Sequence, residues 1–302
     1  LVEQGAHDGQ FAHDVLHAAS TGHSEFFAAL RYAVVEPFEV LRERQAATLV
    51  EFREKLTWHD ALGQLPPFTG VHFSNELIDA MPVHLVKWTG SEWLERHVGL
   101  RGDEFVLIDQ PLSDLRLDRH LHAITTPLPA GYETEVNLAA LSWIDGVASR
   151  LERGYVMAVD YGLPRDEFYA PHRTSGTLRS YAEHRTLPDP FAGIGTADIT
   201  AHVEWTSLAE AAIASGLRLA AFTDQHHFLT GLLTEELARE LERDPKTARA
   251  LQTLLHPGFL GMKFQFLVLA KNVHPLPPLR GLRFARDAAR ALGLSVAADA
   301  LA

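Results

Sequence analysis

The chain has 302 residues, 46% hydrophobic and 22% charged, a globular composition whose length fits one large domain or two small ones. Lys and Arg number 27 against 39 Asp and Glu, and the net charge of -12 argues against a nucleic-acid backbone as main partner and for a basic or cationic one. With 0 Cys, a disulfide framework, a thiolate metal site and a cysteine nucleophile are all excluded.

Apolar β-rich runs at Leu1 to Val2, Ala33 to Val35, Leu56 to Trp58, Val71 to Phe73 and Tyr155 to Val159 read as strands, with helical spacing at Gln10 to Ala19 and Phe38 to Lys55. Such alternation predicts an α/β fold with a parallel sheet covered on both faces. Pro82 to Pro111 breaks the rhythm and reads as an inserted β-meander of Val83 to Trp88, Trp93 to Gly99 and Phe105 to Asp109, turning at Thr89-Gly90-Ser91 and Arg101-Gly102-Asp103. Residues 112–131 read as a long loop, followed by a helix over Val136 to Leu151. Further on come a helix at Ser207 to Ser215, a strand at Leu217 to Phe222, a helix over Thr230 to Leu255 and a strand at Lys263 to Ala270. The prolines from Pro275 to Pro278 mark a tail, so the expected division is a domain over 1–270 and a tail over 271–302.

The first strand runs into Glu3-Gln4-Gly5-Ala6-His7-Asp8-Gly9 directly before a helix, the setting in which a glycine loop exposes backbone amides to a ligand. A dinucleotide fingerprint would need a central glycine where His7 stands. An acid at Glu3 beside a bare amide loop of Gly5, Ala6 and Gly9 suits the ammonium and carboxylate of the methionine tail of S-adenosylmethionine, although an ordinary glycine turn has the same pattern. The second strand ends in Glu36, placed to accept two ribose hydroxyls or simply solvated at a strand end. Trp58, Asp60 and Ala61 follow the third strand where an adenine ring would lie, with a core role for Trp58 the alternative. After the fourth strand, Asn75 adjoins the expected cofactor. If Asn75 to Ala80 forms a helical turn, Glu76 and Asp79 share one face and grip a planar cation; helix capping by Asn75 is the other reading.

Several signals are discounted. His13 and His17 have metalloprotease spacing, but Asp14 is too short for the required Glu and no third ligand is indicated, so no metal is expected. His226 and His227 read as packing residues at a strand end, and Arg280 to Arg290 as a solvated helix face.

Glu3-Gln4-Gly5, Val35-Glu36-Pro37, Asn75 to Val83, Asp160-Tyr161-Gly162, Gly176 to Arg179 with Tyr181 and His184, and Asp198 to Val203 occur in this order. Together they resemble the S-adenosylmethionine-dependent methyltransferase family of MidA and the mitochondrial complex I assembly arginine methyltransferase. The resemblance covers most of residues 1–270. It implies a class I methyltransferase Rossmann-like sheet of seven strands with an antiparallel last strand, S-adenosyl-L-methionine as cofactor, and N-methylation of a protein arginine, with a role in respiratory complex assembly. On that basis Glu76 and Asp79 orient the guanidinium, with His202, Tyr181 and His184 as further candidates. Two departures stand out: His7 replaces a usual glycine, and family members carry an upstream segment with a Gly-Asp-Phe motif ahead of the first strand.

The expected partner is a protein with an accessible arginine, with no nucleic acid and with a homodimer among the expectations. No apolar run approaches the roughly 20 residues of a membrane helix, and Leu1-Val2-Glu3 opens without a basic leader, so a cytoplasmic location is expected. An assembly factor that binds the cofactor without transferring methyl groups is one alternative function. A small-molecule methyltransferase lidded by the meander and loop is the other.

Overall fold

The computed structural model describes residues 1–182, 185–187 and 189–294. Its strands are β1 (Val2–Gln4), β2 (Tyr32–Val35), β3 (Leu56–His59), β4 (Phe68–Asn75), β5 (His84–Trp88), β6 (Trp93–Arg101), β7 (Glu104–Gln110), β8 (Tyr132–Val136), β9 (Leu151–Leu163), β10 (Arg179–Ala182), β11 (Arg185–Leu187), β12 (Asp198–Thr200), β13 (Val203–Glu204), β14 (Arg218–Asp224) and β15 (Phe264–Lys271).

The main sheet runs β3-β2-β1-β4-β9-β15-β14, with β13 added beside β9. β1 pairs in parallel with both β2 and β4, so the chain winds one way through β3 and then returns to the other side of β1. That reversal opens a crevice at the carboxyl ends of β1 and β4, the general ligand position of open α/β sheets. β15 runs antiparallel to both its neighbours, β9 and β14, as the sequence resemblance implies for the last strand.

Successive side chains of a strand face opposite ways, and β2 shows what this builds. Val34 joins Tyr32, Ala12 and Leu16 under the helix Gln10–Gly22, while Val35 joins Val2 and Leu65 on the opposite face. That second face continues into the largest cluster, where Ile144 and Val147 of the helix Leu138–Arg150 and Leu208 of the helix Trp205–Ala214 cover Val156, Leu267 and Leu269.

The predicted meander is present as β5, β6 and β7, extended by β8 on the far side of β5. In the sequence, residues 132–135 carry no assignment and Val136 reads as a helix start, whereas it ends β8. Asn137 settles the boundary by accepting from the Ala140 amide at 2.8 Å, which starts the helix at Leu138. The expected long loop over 112–131 contains a helix, Leu115–His122, capped by Asp114. Leu117 and Leu121, one turn apart, pack it against Val86 and Val136, and the charges around them hid the pattern.

Two long helical expectations also divide. Phe38 to Lys55 becomes an α-helix Glu39–Thr48 and a 3₁₀ helix Val50–Lys55. Thr230 to Leu255 becomes Gln225–Leu232, Glu235–Arg243 and Pro245–Leu255, because Thr234 and Asp244 cap new starts and Pro245 occupies a first turn. His226 and His227 therefore lie at the start of a helix, and His227 Nδ1 meets Asp224 at 2.8 Å. The segment read as a tail returns to the domain: Ala288, Ala289 and Leu292 are buried in the largest cluster, and Thr206 donates to the Leu292 carbonyl at 2.7 Å.

A small sheet that the sequence reading left unassigned, β11-β10-β12, stands over the carboxyl edge of the main sheet. Among the described residues no helix is long and apolar enough to cross a membrane.

Candidate functional site

Gly5 and Gly9 take φ values of 78° and 84°, the left-handed region that favours glycine, and the Gly9 amide closes the turn onto the Ala6 carbonyl at 2.7 Å. Ala6 is buried against the helix that follows, whereas His7 is left-handed too, at φ 46°, with its ring in solvent beside Asp8. Glu3 lies inside the packing around Ala6 and Tyr32, and the Tyr32 hydroxyl donates to its Oε2 at 2.6 Å. Burial pushes the Glu3 carboxyl up to about 7, against the lowering effect of the tyrosine.

The wall at β2 and β3 is joined by a residue with no sequence signal. Gln45, on the helix Glu39–Thr48 and 0% exposed, donates to the His7 carbonyl at 3.1 Å and to Glu36 Oε2 at 3.3 Å. It also accepts from Trp58 Nε1 at 3.0 Å. Glu36 takes the Phe38 amide on its other oxygen at 3.1 Å, leaving further lone pairs on both oxygens. The Trp58 indole is thus turned toward this helix. Asp60 is exposed and ion-paired with Arg42 at 2.6 Å, and Ala61 is exposed at the start of a short 3₁₀ turn.

Beyond the crevice, the expected helical turn over Asn75 to Ala80 is not formed. Glu76 adopts φ 48° and its amide bonds the Val159 carbonyl at 3.0 Å, which turns the chain sharply off β4. Asp160, fully buried at β9, then accepts from the Ile78, Asp79 and Tyr161 amides at 3.0, 3.2 and 2.9 Å and holds the next segment. Glu76 and Asp79 still converge, on the wall of an open pocket of about 1080 Å³ that Tyr161, Tyr181, Asp198 and His202 also line. Asn75 is exposed at its rim and donates to Glu76 at 3.3 Å. His184 lies outside the described residues.

The pocket's charges are held against their preferences. Burial raises the Glu76 and Asp79 carboxyls, with Asp198 adding to both, and raises Asp160 well above the usual carboxylate range with Asp79 adding to it. Burial, then Arg173 and Arg179, lower the imidazolium of His202, leaving a neutral ring packed edge-on against Tyr161 at 5.4 Å between centroids. The Tyr161 hydroxyl donates to Asp79 Oδ2, while Asp79 Oδ1 and His202 Nδ1 are buried with no side-chain hydrogen-bond partner among the described residues.

Residues 1–223 match the family described as "Putative S-adenosyl-L-methionine-dependent methyltransferase". The chain belongs to this family. S-adenosyl-L-methionine is the cofactor of the family and methyl transfer its reaction. A Burkholderia thailandensis protein whose crystal structure holds S-adenosyl-homocysteine is 31% identical at a TM-score of 0.83, covering 94% of this chain and 74% of that one. A native structure from the same organism is 32% identical at 0.84, covering 94% and 77%. The protein arginine methyltransferase NDUFAF7 homolog, mitochondrial, of Caenorhabditis elegans is 22% identical over 291 residues, covering 88% of this chain. The chain spans 66% of that relative's length, just under two thirds.

Tested against the methyltransferase family's cofactor, the residues at the crevice are of the right kinds. Glu36 has further lone pairs at the end of β2, and the loop beside it turns through left-handed Gly5 and Gly9. Glu3, Gly5, Ala6, Gly9 and Glu36 are therefore placed together around one strand edge, with Asn75 across the crevice. Trp58 and Asp60 are each already bonded to the helix Glu39–Thr48. Residues that the sequence reading assigned no role also build this edge of the sheet: Gln45, Glu135, Asp160, Tyr161 and Asp198. Glu135 in β8 is buried and accepts from the Thr177 and Leu178 amides at 2.8 Å each, and Thr177 Oγ1 accepts from the His202 amide at 3.0 Å. The Gly176-Thr177-Leu178 and Asp198 blocks were the available signal for this wall; nothing in the local sequence marked Glu135 or Gln45.

Proposed function

We propose that this chain transfers the methyl group of S-adenosyl-L-methionine to a guanidinium nitrogen of a protein arginine, with Glu76 and Asp79 orienting the acceptor and His202 beside it. The observation that carries the reading is the convergence of Glu76 and Asp79, both raised by burial, with Asp198 on one pocket. A planar cation with five donors supplies what those carboxylates lack, and Arg–carboxylate contacts fix its plane. The name of the C. elegans relative supports the same acceptor.

When bound, the cofactor supplies an electrophilic methyl carbon, and Glu3, Gly5, Ala6, Gly9, Glu36 and Asn75 are the residues proposed to hold it, with Trp58, Asp60 and Ala61 flanking the adenine end. The chain's own contribution is alignment: Glu76 and Asp79 hold two nitrogens so that the third faces the crevice, as an in-line displacement requires. The proton released on methylation has acceptors in Glu76 and Asp79, whose carboxyls burial raises, beside the neutral His202. A role in respiratory complex assembly belongs to the reading through resemblance alone.

Labelled S-adenosylmethionine incubated with protein and native lysate, followed by hydrolysis and amino-acid analysis, tests the proposal. Label in methylarginine supports it; label in small molecules only moves the acceptor to another class. The strained His7 in the cofactor loop favours a second reading, a cofactor-binding assembly factor, which predicts S-adenosylhomocysteine binding with no label transferred.

A further inference from the structure

β12 separates two cavities. Asp198 and its cross-strand partner Tyr181 face the acidic pocket, while Ile199, one residue on, faces an apolar groove with Leu178. The groove's opposite wall is the meander, through Val98, Phe105 and Leu107, and the Phe105 ring lies 5.8 Å from that of Phe191 across it. Apolar surface here is unusually open: Val98 is 59% exposed, Phe105 47%, Ile194 63% and Ile199 46%. Contiguous exposed apolar surface of this kind marks a binding site more often than an accident of folding. The two cavities share Asp79, Ala80 and Thr200 as wall, so the groove is continuous with the acceptor pocket.

We propose that the groove takes a large apolar side chain immediately next to the target arginine, so that the acceptor is a polypeptide segment with an apolar residue beside its arginine. This rests on the arginine reading of the acidic pocket. The two cavities complement such a segment in both respects: Glu76, Asp79 and Asp198 attract the cation, and the groove of about 560 Å³ is roomy enough for one or two large side chains. Neighbouring residues of an extended segment point to opposite sides, as do Asp198 and Ile199 in the partition between the cavities. One segment laid along that partition thereby fills both.

The test uses two fluorescein-labelled heptapeptides with one central arginine, flanked on both sides by leucine in one and by alanine in the other. Binding is measured by anisotropy with S-adenosylhomocysteine present, in the unaltered protein and in Phe105→Ser and Ile194→Ser, whose side chains stand outside the acidic pocket. The leucine peptide is expected to bind about ten-fold or more tightly than the alanine peptide, as burial of one or two leucines implies. Both variants should erase most of that difference while leaving the alanine peptide unchanged. Equal binding of the two peptides, or a leucine preference that survives both variants, would overturn the proposal, as would selective binding of a small amphipathic amine with no peptide binding. Transfer of labelled methyl to the same peptides is scored separately. Groove-dependent binding without methylarginine refutes the arginine reading and leaves the groove standing; methylarginine without a leucine preference does the reverse.

Discussion

The Tyr161 hydroxyl donates to Asp79, and through this bond the end of β9 fixes the carboxylate that faces the acceptor pocket. The backbone around the same pair is anchored by Asp160, which accepts from the amides of both Asp79 and Tyr161. Two acids thus share one segment, each raised by burial, and Asp79 also raises Asp160.

Removing the hydroxyl separates these contributions. In Tyr161→Phe, Asp79 keeps its burial and loses the bond that favours its ionised form, so its carboxyl moves further up. A cationic acceptor binds the ionised pocket better, so acceptor affinity is expected to strengthen as pH rises through the raised carboxylate range. The acid limb of kcat/KM should then lie at higher pH in Tyr161→Phe. The variant should also lose about 1–3 kcal/mol of stability, the cost of an unsatisfied buried acceptor. For the acids themselves the sign is opposite to the usual one: their folded values lie above the unfolded ones. They hold protons longer in the folded state, and stability declines as pH climbs from the ordinary Asp range through the raised values. Denaturation midpoints and pH–rate profiles on both proteins check these expectations.

Gln45 is expected to matter for cofactor binding without touching the acceptor. Gln45→Ala removes bonds to the His7 carbonyl, Glu36 and Trp58 at once, so the glycine loop and the ribose-facing acid lose a common brace. Affinity for S-adenosylhomocysteine, read by calorimetry, should fall about ten-fold, with about 2 kcal/mol of stability lost for the buried groups left unpaired. Unchanged affinity in a folded variant would show that the brace serves packing alone.

How far the chain can be read without coordinates varies from element to element. β1 to β4 and the helix Gln10–Gly22 were legible because β-branched runs ending in Glu3-Gln4-Gly5 or Val35-Glu36-Pro37 carry strand, turn and site in adjacent residues. The helix Leu115–His122 was not, since three leucines among five polar or charged neighbours, one of the leucines exposed, give almost no periodic signal. Glu76 and Asp79 were expected together for the wrong local reason: a left-handed Glu76 and the Asp160 clamp, formed 81 residues away, bring them to one pocket. Gln45 and Glu135 were invisible because their partners are long-range, Gln45 meeting His7 across 38 residues and Glu135 meeting Thr177 across 42.

Gly176 offers a test of the wall built on Glu135. Its φ is 61°, and a Cβ there would stand 2.2 Å from Glu135 Oε1. Gly176→Ala should expel the carboxylate from the Thr177 and Leu178 amides and release the His202 segment, which is tied to Thr177 Oγ1. Methyl transfer is expected to fall at least ten-fold while S-adenosylhomocysteine affinity stays within two-fold, because no part of the glycine loop is involved. A proportional loss of both would mean that the small sheet supports the whole edge.

His7 at φ 46° carries a conformation that costs an L-residue about 1 kcal/mol or more relative to glycine. With its ring in solvent, little is gained in return, so His7→Gly should raise stability by up to about 1 kcal/mol after the extra unfolded-state entropy of glycine is counted. The melting temperature should rise by about 2 °C or less for a chain of this size. Cofactor affinity is expected to hold or tighten a few-fold. A weaker complex in His7→Gly would assign the imidazole a direct part in binding.

Glu76 is the residue whose charge and backbone separate most cleanly. Its carboxyl lies on the acceptor pocket and its amide is bonded to Val159, so a substitution at the side chain leaves the turn off β4 in place. Glu76→Gln keeps the length and the left-handed backbone while removing the charge, and a charge-assisted bond to a guanidinium is about twice as strong as a neutral one. A carboxylate also concentrates positive charge on the nitrogens it contacts, which leaves the remaining nitrogen relatively more nucleophilic. Transfer should fall on the order of 100-fold, comparable to the loss of one preorganised electrostatic contact, with S-adenosylhomocysteine affinity within a few-fold of the original. Glu76→Gly provides the complementary measurement: it relieves the strain at φ 48° and should stabilise the fold while losing transfer. A Glu76→Gln variant that is folded, binds S-adenosylhomocysteine and turns over at the original rate would remove this residue from acceptor recognition and leave Asp79 and Asp198 as the acids that meet the cation.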